Sequence, residues 1–592
     1  MLLQRTRIDR CTLPGDGEIA DRASWSALLN CLIRECALPG GWLLHAWPDD
    51  RRGLSGMEDA GGGEQVPLQI TMPDGAGYFV LVDRRDRLGS HFYRSDLWGR
   101  RPGEAWRQLD LADFARDLLP RCVKSDEPVN SEMLGQILAS RDALDEVLSA
   151  AAADRIAPLA NYPVSEQALW FGHPAHPAPK TRAWPDEPDR WRYAPEFGGS
   201  FRLRRWAVDA DGLTIRSNGL APDAALRAVA DQAGAKPGQA ILSLHPVQAR
   251  LLRADPRVRA LFEAARIEDL GETGALVRAT ASVRTLMVDG QDHLLKTSLS
   301  IRITNCVRKN AWYELESAVL VDRLIAGLVA CDPDGCGGLH TIPEPASVSW
   351  APFDASDEDA CWYREQTGII LRRDFRLDHG PDALVASTLF GRDTRFRPLI
   401  PVFLRAHVGC EPDAATRLLW FARYQALLLR PVLTMFFRHG VVFEPHLQNC
   451  VVTHHDGWPE CVLLRDFEGV KLTVDRGVDL LGPAVPERIV QSLVYPRERG
   501  WQRIAYCLFV NNLSEAVLAL TDGMPDLAPT LWQIVFDELL AIRGALDNAP
   551  ELDALIGGAP IPCKANLRVR LAAAPDREAD YVALAAPWGA AR

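Results

Sequence analysis

The chain of 592 residues is long enough for two to four domains, and 47% hydrophobic with 24% charged residues is the composition of an ordinary soluble globular protein. A net charge of −12 with no domain-wide basic patch argues against a nucleic-acid partner. Thirteen scattered cysteines without a CxxC pair fit neither a zinc ribbon nor a disulfide framework, so reduced thiols in a cytoplasm are expected.

The first residues, Met1 to Cys11, lack the long apolar run of a signal peptide. Residues 1–155 mix signals: Trp25 to Cys36 predicts a helix stopped at Pro39-Gly40-Gly41, Ile70–Met72 and Tyr78–Val82 predict short strands, and Ser131–Ala152 has helical spacing. No dense polar constellation appears there, which suits a scaffold or docking domain.

Phe171 to Arg182 reads FGHPAHPAPKTR. Its prolines exclude regular helix and present His173, His176, Lys180 and Arg182 from a stiff loop. These groups all donate to anionic oxygens, so the loop is a candidate phosphate contact. A His-x-x-His zinc site lacks a third ligand nearby, and a surface turn with incidental charge remains open. Ile241 to Gln248 predicts a buried strand leaving His245 and Gln248 at its exit, where His245 suits a structural role equally well.

The stretch from Ser282 to Arg308 is the densest in the chain. Two strand-like runs flank an Asp289-Gly290 turn. In the second run, alternation puts Lys296, Ser298, Ser300, Arg302 and Thr304 on one face, and Leu295, Leu299, Ile301 and Ile303 on the other with Thr297. The first run places Thr280, Ser282 and Arg284 together, with Thr285 just beyond. Cations among hydroxyls on a sheet face suit a polyphosphate or polycarboxylate, although the same pattern fits a plain exposed polar face. A three-residue turn with Gly290 left-handed is expected, which sets Arg284 across from Lys296 and Ser282 across from Ser298. A helix follows from Ala311 to about Ala330, with Arg308 just ahead of it.

Residues from Asp332 to Ala355 read as a loop, and Gly368–Arg372 as a short strand. Helical patterns take over from about residue 378. The most apolar segment, Leu418 to Val442, is broken by Arg423, Arg430 and Arg438, so it predicts a buried helix and no membrane span. A second constellation follows: VFEPHLQN ending at Asn449, a strand, a turn, and CVLLRDFEG ending at Gly469. A loop Asn followed after a hairpin by an Asp is how kinases hold magnesium against nucleotide phosphates, and Asp466 as a mere salt-bridge partner of Arg465 or another cation is the plainer alternative.

Taken together, GHPAHPAPKTR, HPVQ, SVRT, the spacing of Lys296 to Arg308, EPHLQN and LLRDFEG resemble the NRPS-independent siderophore synthetases of the IucA/IucC (aerobactin synthetase) type, in that family's order from Gly172 to Gly469. One departure is Ala183-Trp184, where the family places a glycine. The resemblance implies an α+β fold shaped as a cupped hand: a thumb (1–155), mixed α/β fingers with an antiparallel sheet (156–377), and a mainly helical palm with a small kinase-like sheet (378–592). It also implies a cytoplasmic homodimer.

The implied substrates are ATP with Mg2+, a carboxylate (citrate or a citrate-derived acid such as a citryl monoamide, with 2-oxoglutarate as the alternative), and an amine or alcohol. ATP contacts fall to His173, Lys180, Ser282, Arg284, Thr285, Lys296, Gln448, Asn449, Asp466 and Glu468. Arg308, His446, Arg302 and Thr304 take the substrate carboxylate; Asp466, Asn449 and Glu468 take magnesium. Lys296, Arg308, Arg284 and His446 are the implied catalytic groups of an AMP-forming ligase. A kinase-like phosphotransferase releasing ADP needs the same Lys296, Asn449 and Asp466, but the chain has no Gly-rich phosphate loop. A non-catalytic metabolite-binding scaffold has no use for both constellations.

Overall fold

The computed structural model describes residues 15–54, 65–123, 130–154, 157, 159–185, 190–304, 306–575 and 578–588; the reading of Met1–Cys11 falls outside them. Helices interleave along the chain with sheets that are mostly antiparallel, a mixed α+β architecture.

The N-terminal strands form a five-stranded antiparallel meander (Leu43–Leu44, Val66–Thr71, Gly77–Val82, Trp98–Arg100, Arg107–Gln108). Gly77–Val82 is buried along its whole length, so it reads as a continuous apolar run. Helices Asp16–Leu32 and Leu111–Leu118 cover the sheet through Leu28, Leu32 and Phe114. The first helix runs on to Gly40 and stops at Gly41, which sits at φ 69 as a left-handed cap.

Eight antiparallel strands build the central sheet, in the order Leu213–Ser217, Ala346–Trp350, Ile369–Arg373, His293–Thr297, Thr285–Val288, Ile267–Ala279, Phe201–Asp209, Gln239–Leu244. Two expectations are corrected here. The stretch from Asp332 to Ala355 is not all loop: Ala346–Trp350 is a fully buried central strand, and His340–Thr341 pairs with Trp458–Leu464. The register is also different, since Thr285, not Arg284, lies opposite Lys296. Gly290 is left-handed at φ 72 as expected, but the connection from Val288 to His293 is longer than a three-residue turn.

The alternating run does not continue as one strand. It breaks at Ser298, whose N–H goes to the Gly368 carbonyl at 3.0 Å, and resumes as Leu299–Ile303 in a separate three-stranded sheet with Cys306–Arg308 and Arg182–Ala183. Ala183 pairs there with Arg302.

The C-terminal half is built on helix Ala414–His439, which buries Trp420, Phe421 and Leu428 and carries Pro431 inside it. A small sheet (His340–Thr341, Trp458–Leu464, Cys450–His455, Ala383–Val385) packs beside it. Helix Arg497–Leu520 is long and apolar enough to cross a membrane, with mean hydropathy 1.2, yet 94% of that window is buried inside the fold. The chain then returns to its start: Leu567 and Leu571 join the N-terminal core, and Glu35 accepts the Leu567 and Arg568 amides at 2.8 and 3.0 Å. Arg34, from the N-terminal helical segment, pairs with Glu515 at 2.9 Å.

Candidate active site

A cleft of about 2520 Å³ runs between the central sheet and the C-terminal half, floored by the two constellations singled out above. Lys296 enters from strand His293–Thr297, and its ammonium bonds Asp466 and, at 2.8 Å, Glu468. Arg284 sits in the bend before its strand, where Val283 takes φ 69, and reaches Glu468 at 2.7 Å. Its other terminal nitrogen donates to the Asn310 side-chain oxygen. Asn310 is fully buried and donates to the carbonyls of Lys296 and Gly368 at 3.0 and 2.9 Å, which fixes the strand ends that present both cations.

The acidic side is aimed by backbone geometry. Asp466 follows strand Trp458–Leu464 and holds φ 76, a conformation uncommon away from glycine, before the turn Phe467–Gly469. Its neighbour Arg465 faces away and is buried against Glu166, with Nε on the Gln448 carbonyl at 2.9 Å. Arg465 is therefore not the partner of Asp466. Arg372 completes the frame: it bonds Glu344 at 2.6 Å and touches Asp466 at 3.4 Å.

Lys296 is 3% exposed, whereas the Asp466 and Glu468 side chains keep 36% and 26%, so the carboxylates open onto the cleft and the cation sits beneath them. Burial opposes ionisation of both acids, but Lys296 and its cationic neighbours win. Asp466 is held below the usual carboxylate range, and Glu468 is lowered to about 2. Burial also opposes charge on Lys296, and the two carboxylates more than offset it, so its pKa is raised. Glu314 faces the same space; burial and the charge of Glu468 push it up to about 7.

Most of the remaining sequence candidates line this cleft: His173, Lys180, Ser282, Thr285, Thr304, Arg308, His446, Gln448 and Asn449. Ser282 Oγ accepts the Thr285 amide at 3.1 Å and so sets the bend. Arg308 has no ion-pair partner among the described residues. His446 has its pKa lowered by burial, and His173 lies 2.7 Å from the Asn511 amide nitrogen.

Two candidates do not fit their expected roles. The Lys180 ammonium is taken by Glu196 at 2.6 Å and by the Leu169 carbonyl, and burial lowers its pKa to about 8. It anchors the loop and presents no free charge. Arg302 does not line the cleft: the strand break turns it outward, where it is 53% exposed and 3.7 Å from Glu132.

Sequence reasoning missed Arg372, Glu344, Asn310, Lys471 and the Arg503–Glu444 pair, which meets at 2.9 Å. Burial and nearby Arg503 lower Lys471 to about 8. Arg372, Lys471 and Arg503 sit in strands and a helix, and Asn310 and Glu344 in short connections, without local motif character; Arg372-Arg373 at the end of an apolar strand and Glu444 within the EPHLQN stretch were the available signals.

Asp466 and Glu468 together with Asn449 form a hard-oxygen set of the kind magnesium takes. The Asn449 amide nitrogen is spent on the Glu444 carbonyl at 3.2 Å, and both carboxylates face open space, so these residues fit such an ion beside phosphates.

Comparison with known proteins agrees with this architecture. Residues 161–391 match the IucA / IucC family and residues 418–579 match the family described as ferric iron reductase FhuF-like transporter. The chain is 31% identical to the rhizobactin siderophore biosynthesis protein RhbC of Rhizobium meliloti over 92% of both chains. It is 29% identical to the L-2,3-diaminopropanoate–citrate ligase of Staphylococcus aureus over 69% of this chain and 72% of that one. Among solved structures, the ATP-bound aerobactin synthetase IucA from Klebsiella pneumoniae superposes with a TM-score of 0.80 at 21% identity, covering 96% of this chain and 99% of that one. At that identity the likeness speaks for the fold.

Proposed function

The chain belongs to the IucA/IucC family, and on that premise we propose that it is an ATP-dependent ligase that adenylates a carboxylate of citrate, or of a citrate-derived acid, and condenses it with an amine or alcohol. The observation that carries this reading is the convergence of Lys296, Asp466 and Glu468 in one cleft that also holds Arg308, which has no ion-pair partner among the described residues. Relatives named as citrate ligases support the choice of acid.

Both reactants of the first step are anionic. A carboxylate oxygen attacks the α-phosphorus of ATP, the new O–P bond forms, and the bond to the β-phosphate oxygen breaks to release pyrophosphate. Lys296 and Arg284, drawn from the acids onto the phosphates, offset that repulsion and stabilise the charge building on phosphorus. Arg308 and Thr304 hold the substrate carboxylate, with Ser282, Thr285 and Gln448 fixing the phosphates' orientation. Asp466, Glu468 and Asn449 would hold magnesium, which neutralises phosphate charge when bound.

In the second step the amine nitrogen or alcohol oxygen attacks the acyl carbon, and AMP leaves with the electron pair of the C–O bond. The half-buried His446 imidazole, whose pKa desolvation lowers, is the group assigned here to accept the nucleophile's proton. The same reading keeps a thumb (1–155), fingers (156–377) and palm (378–592) as working units.

Incubation with ATP, Mg2+, citrate and a panel of polyamines, amino acids and alcohols, with nucleotide products quantified, tests the proposal. AMP in step with amide or ester is expected. ADP would assign a phosphotransferase, and no turnover with any carboxylate would assign a binding scaffold.

A further inference from the structure

The geometry points to a metal site outside the cleft: His340, His379 and Cys461 form a His2Cys cradle for a borderline divalent cation of the zinc class. Their ligand atoms all lie within 4.8 Å of one another. None of the three lines the active-site cleft, so the site is separate from the chemistry proposed above.

Three unrelated segments deliver the ligands. Strand His340–Thr341 runs parallel to Trp458–Leu464 with His340 opposite Leu463, and Cys461 is two residues earlier on that strand, hence on the same face. His379 comes from the end of the short helix Arg376–His379, which is fastened by the Arg373–Asp378 pair at 2.6 Å and terminated by Gly380 at φ 78. The two imidazoles meet edge-to-face with centroids 5.7 Å apart. Beneath them Cys461 is 5% exposed among Ile342, Phe375 and Leu463. Among the described residues, neither imidazole nor the thiol has a hydrogen-bond partner. Three ligating groups of the right softness thus face one another unspent.

Thiolate with imidazole selects zinc or a similar d-block ion over magnesium or calcium. Zinc bonds of about 2.0–2.3 Å at tetrahedral angles bring ligand atoms inside the 4.8 Å within which these stand, a closure side-chain rotation supplies, and exposed His340 leaves an entry path with a fourth position for water. Burial pushes the Cys461 thiol up to about 12, so in the metal-free protein it is a neutral thiol. On binding, the S–H bond breaks, the S–metal bond forms, and one proton leaves to solvent. The site also lies behind the catalytic frame: Cys461 precedes Asp466 on one segment and His340 precedes Glu344 on another. An ion there would clamp the two strands that carry those acids.

The test uses the whole purified chain, stripped with a chelator and titrated with Zn2+ against a competing chromophoric chelator. Co2+ serves as the spectroscopic probe. One equivalent is expected, with a thiolate-to-cobalt charge-transfer band. Cys461→Ser should abolish that band although the other twelve cysteines remain. His340→Ala, an exposed change that spares the core, should weaken zinc at least about tenfold, since loss of a mere outer-shell partner already costs 10–100-fold. Zn2+ should raise the Tm of the parent and not that of His340→Ala. Zinc affinity unchanged in His340→Ala, or a charge-transfer band retained in Cys461→Ser, would overturn the assignment, as would binding of no equivalent at all.

Discussion

The Lys296 ammonium bonds the Asp466 carboxylate directly, across 170 residues of sequence and between two different sheets. On the proposed reading, nucleotide phosphates compete with these acids for the cation. The pair is both a structural joint and a loaded site.

Lys296→Ala is expected to lower carboxylate adenylation by about 10²–10³-fold, or about 2.7–4 kcal/mol of barrier, on the scale of one preorganised donor. Trapping of the acyl adenylate as a hydroxamate measures this, with far-ultraviolet circular dichroism verifying the fold. Trapping at the parental rate would remove Lys296 from the mechanism.

Arg308→Ala should act chiefly on the carboxylate. With no ion pair to break among the described residues, stability should stay within about 0.5 kcal/mol of the parent. KM for citrate should rise steeply while ATP binding, read by fluorescence titration, changes little. Arg302→Ala, facing Glu132 across solvent, should leave both constants near the parental values.

Glu166 and Arg465 are buried at 0% and 4% exposure and carry the strand exit that aims Asp466. Glu166→Ala strands a buried guanidinium and should cost about 3–5 kcal/mol in denaturant unfolding. Adding Arg465→Met should recover part of that loss. A cost near zero for the single change would mean Arg465 finds water or another acid.

Stability should respond to acid through the same acids. Glu468 is lowered to about 2 in the folded state, against an ordinary value of about 4.3 in the unfolded chain. Its contribution is present above the unfolded value and is lost as pH falls towards 2, because the unfolded chain takes up protons first. Asp466 acts in the same direction. Lys296→Met removes the largest cationic contribution to both shifts and leaves those of Arg284 and Arg372, so its unfolding free energy should vary less between those pH values than the parent's. An identical slope would contradict the assigned cause.

The sequence made the two constellations legible because local motifs carried them: hydroxyls and cations at alternate positions, and an Asn and an Asp around a hairpin. Helices such as Met133–Asp154 and Ala414–His439 also followed from spacing. What it hid were long-range choices. The run from Lys296 to Thr304 looks uniform, yet it changes sheets at Ser298, because Gly368 takes the Ser298 amide and Asn310 binds both strand ends. That switch turns Arg302 outward. Lys180 looked free because its acid, Glu196, is sixteen residues on in the sequence, beyond any local motif. Arg372 and Glu344 meet only through the antiparallel pairing of Ala346–Trp350 with Ile369–Arg373, two strands separated in sequence by a helix.

The most direct test of the central claim is exchange of labelled pyrophosphate into ATP without any amine or alcohol present. The account predicts exchange that depends on citrate or a related acid and is lost in both Lys296→Ala and Asp466→Asn. Exchange that persists in either variant, or ADP accumulating where exchange should occur, would show that these two residues do not act on one nucleotide.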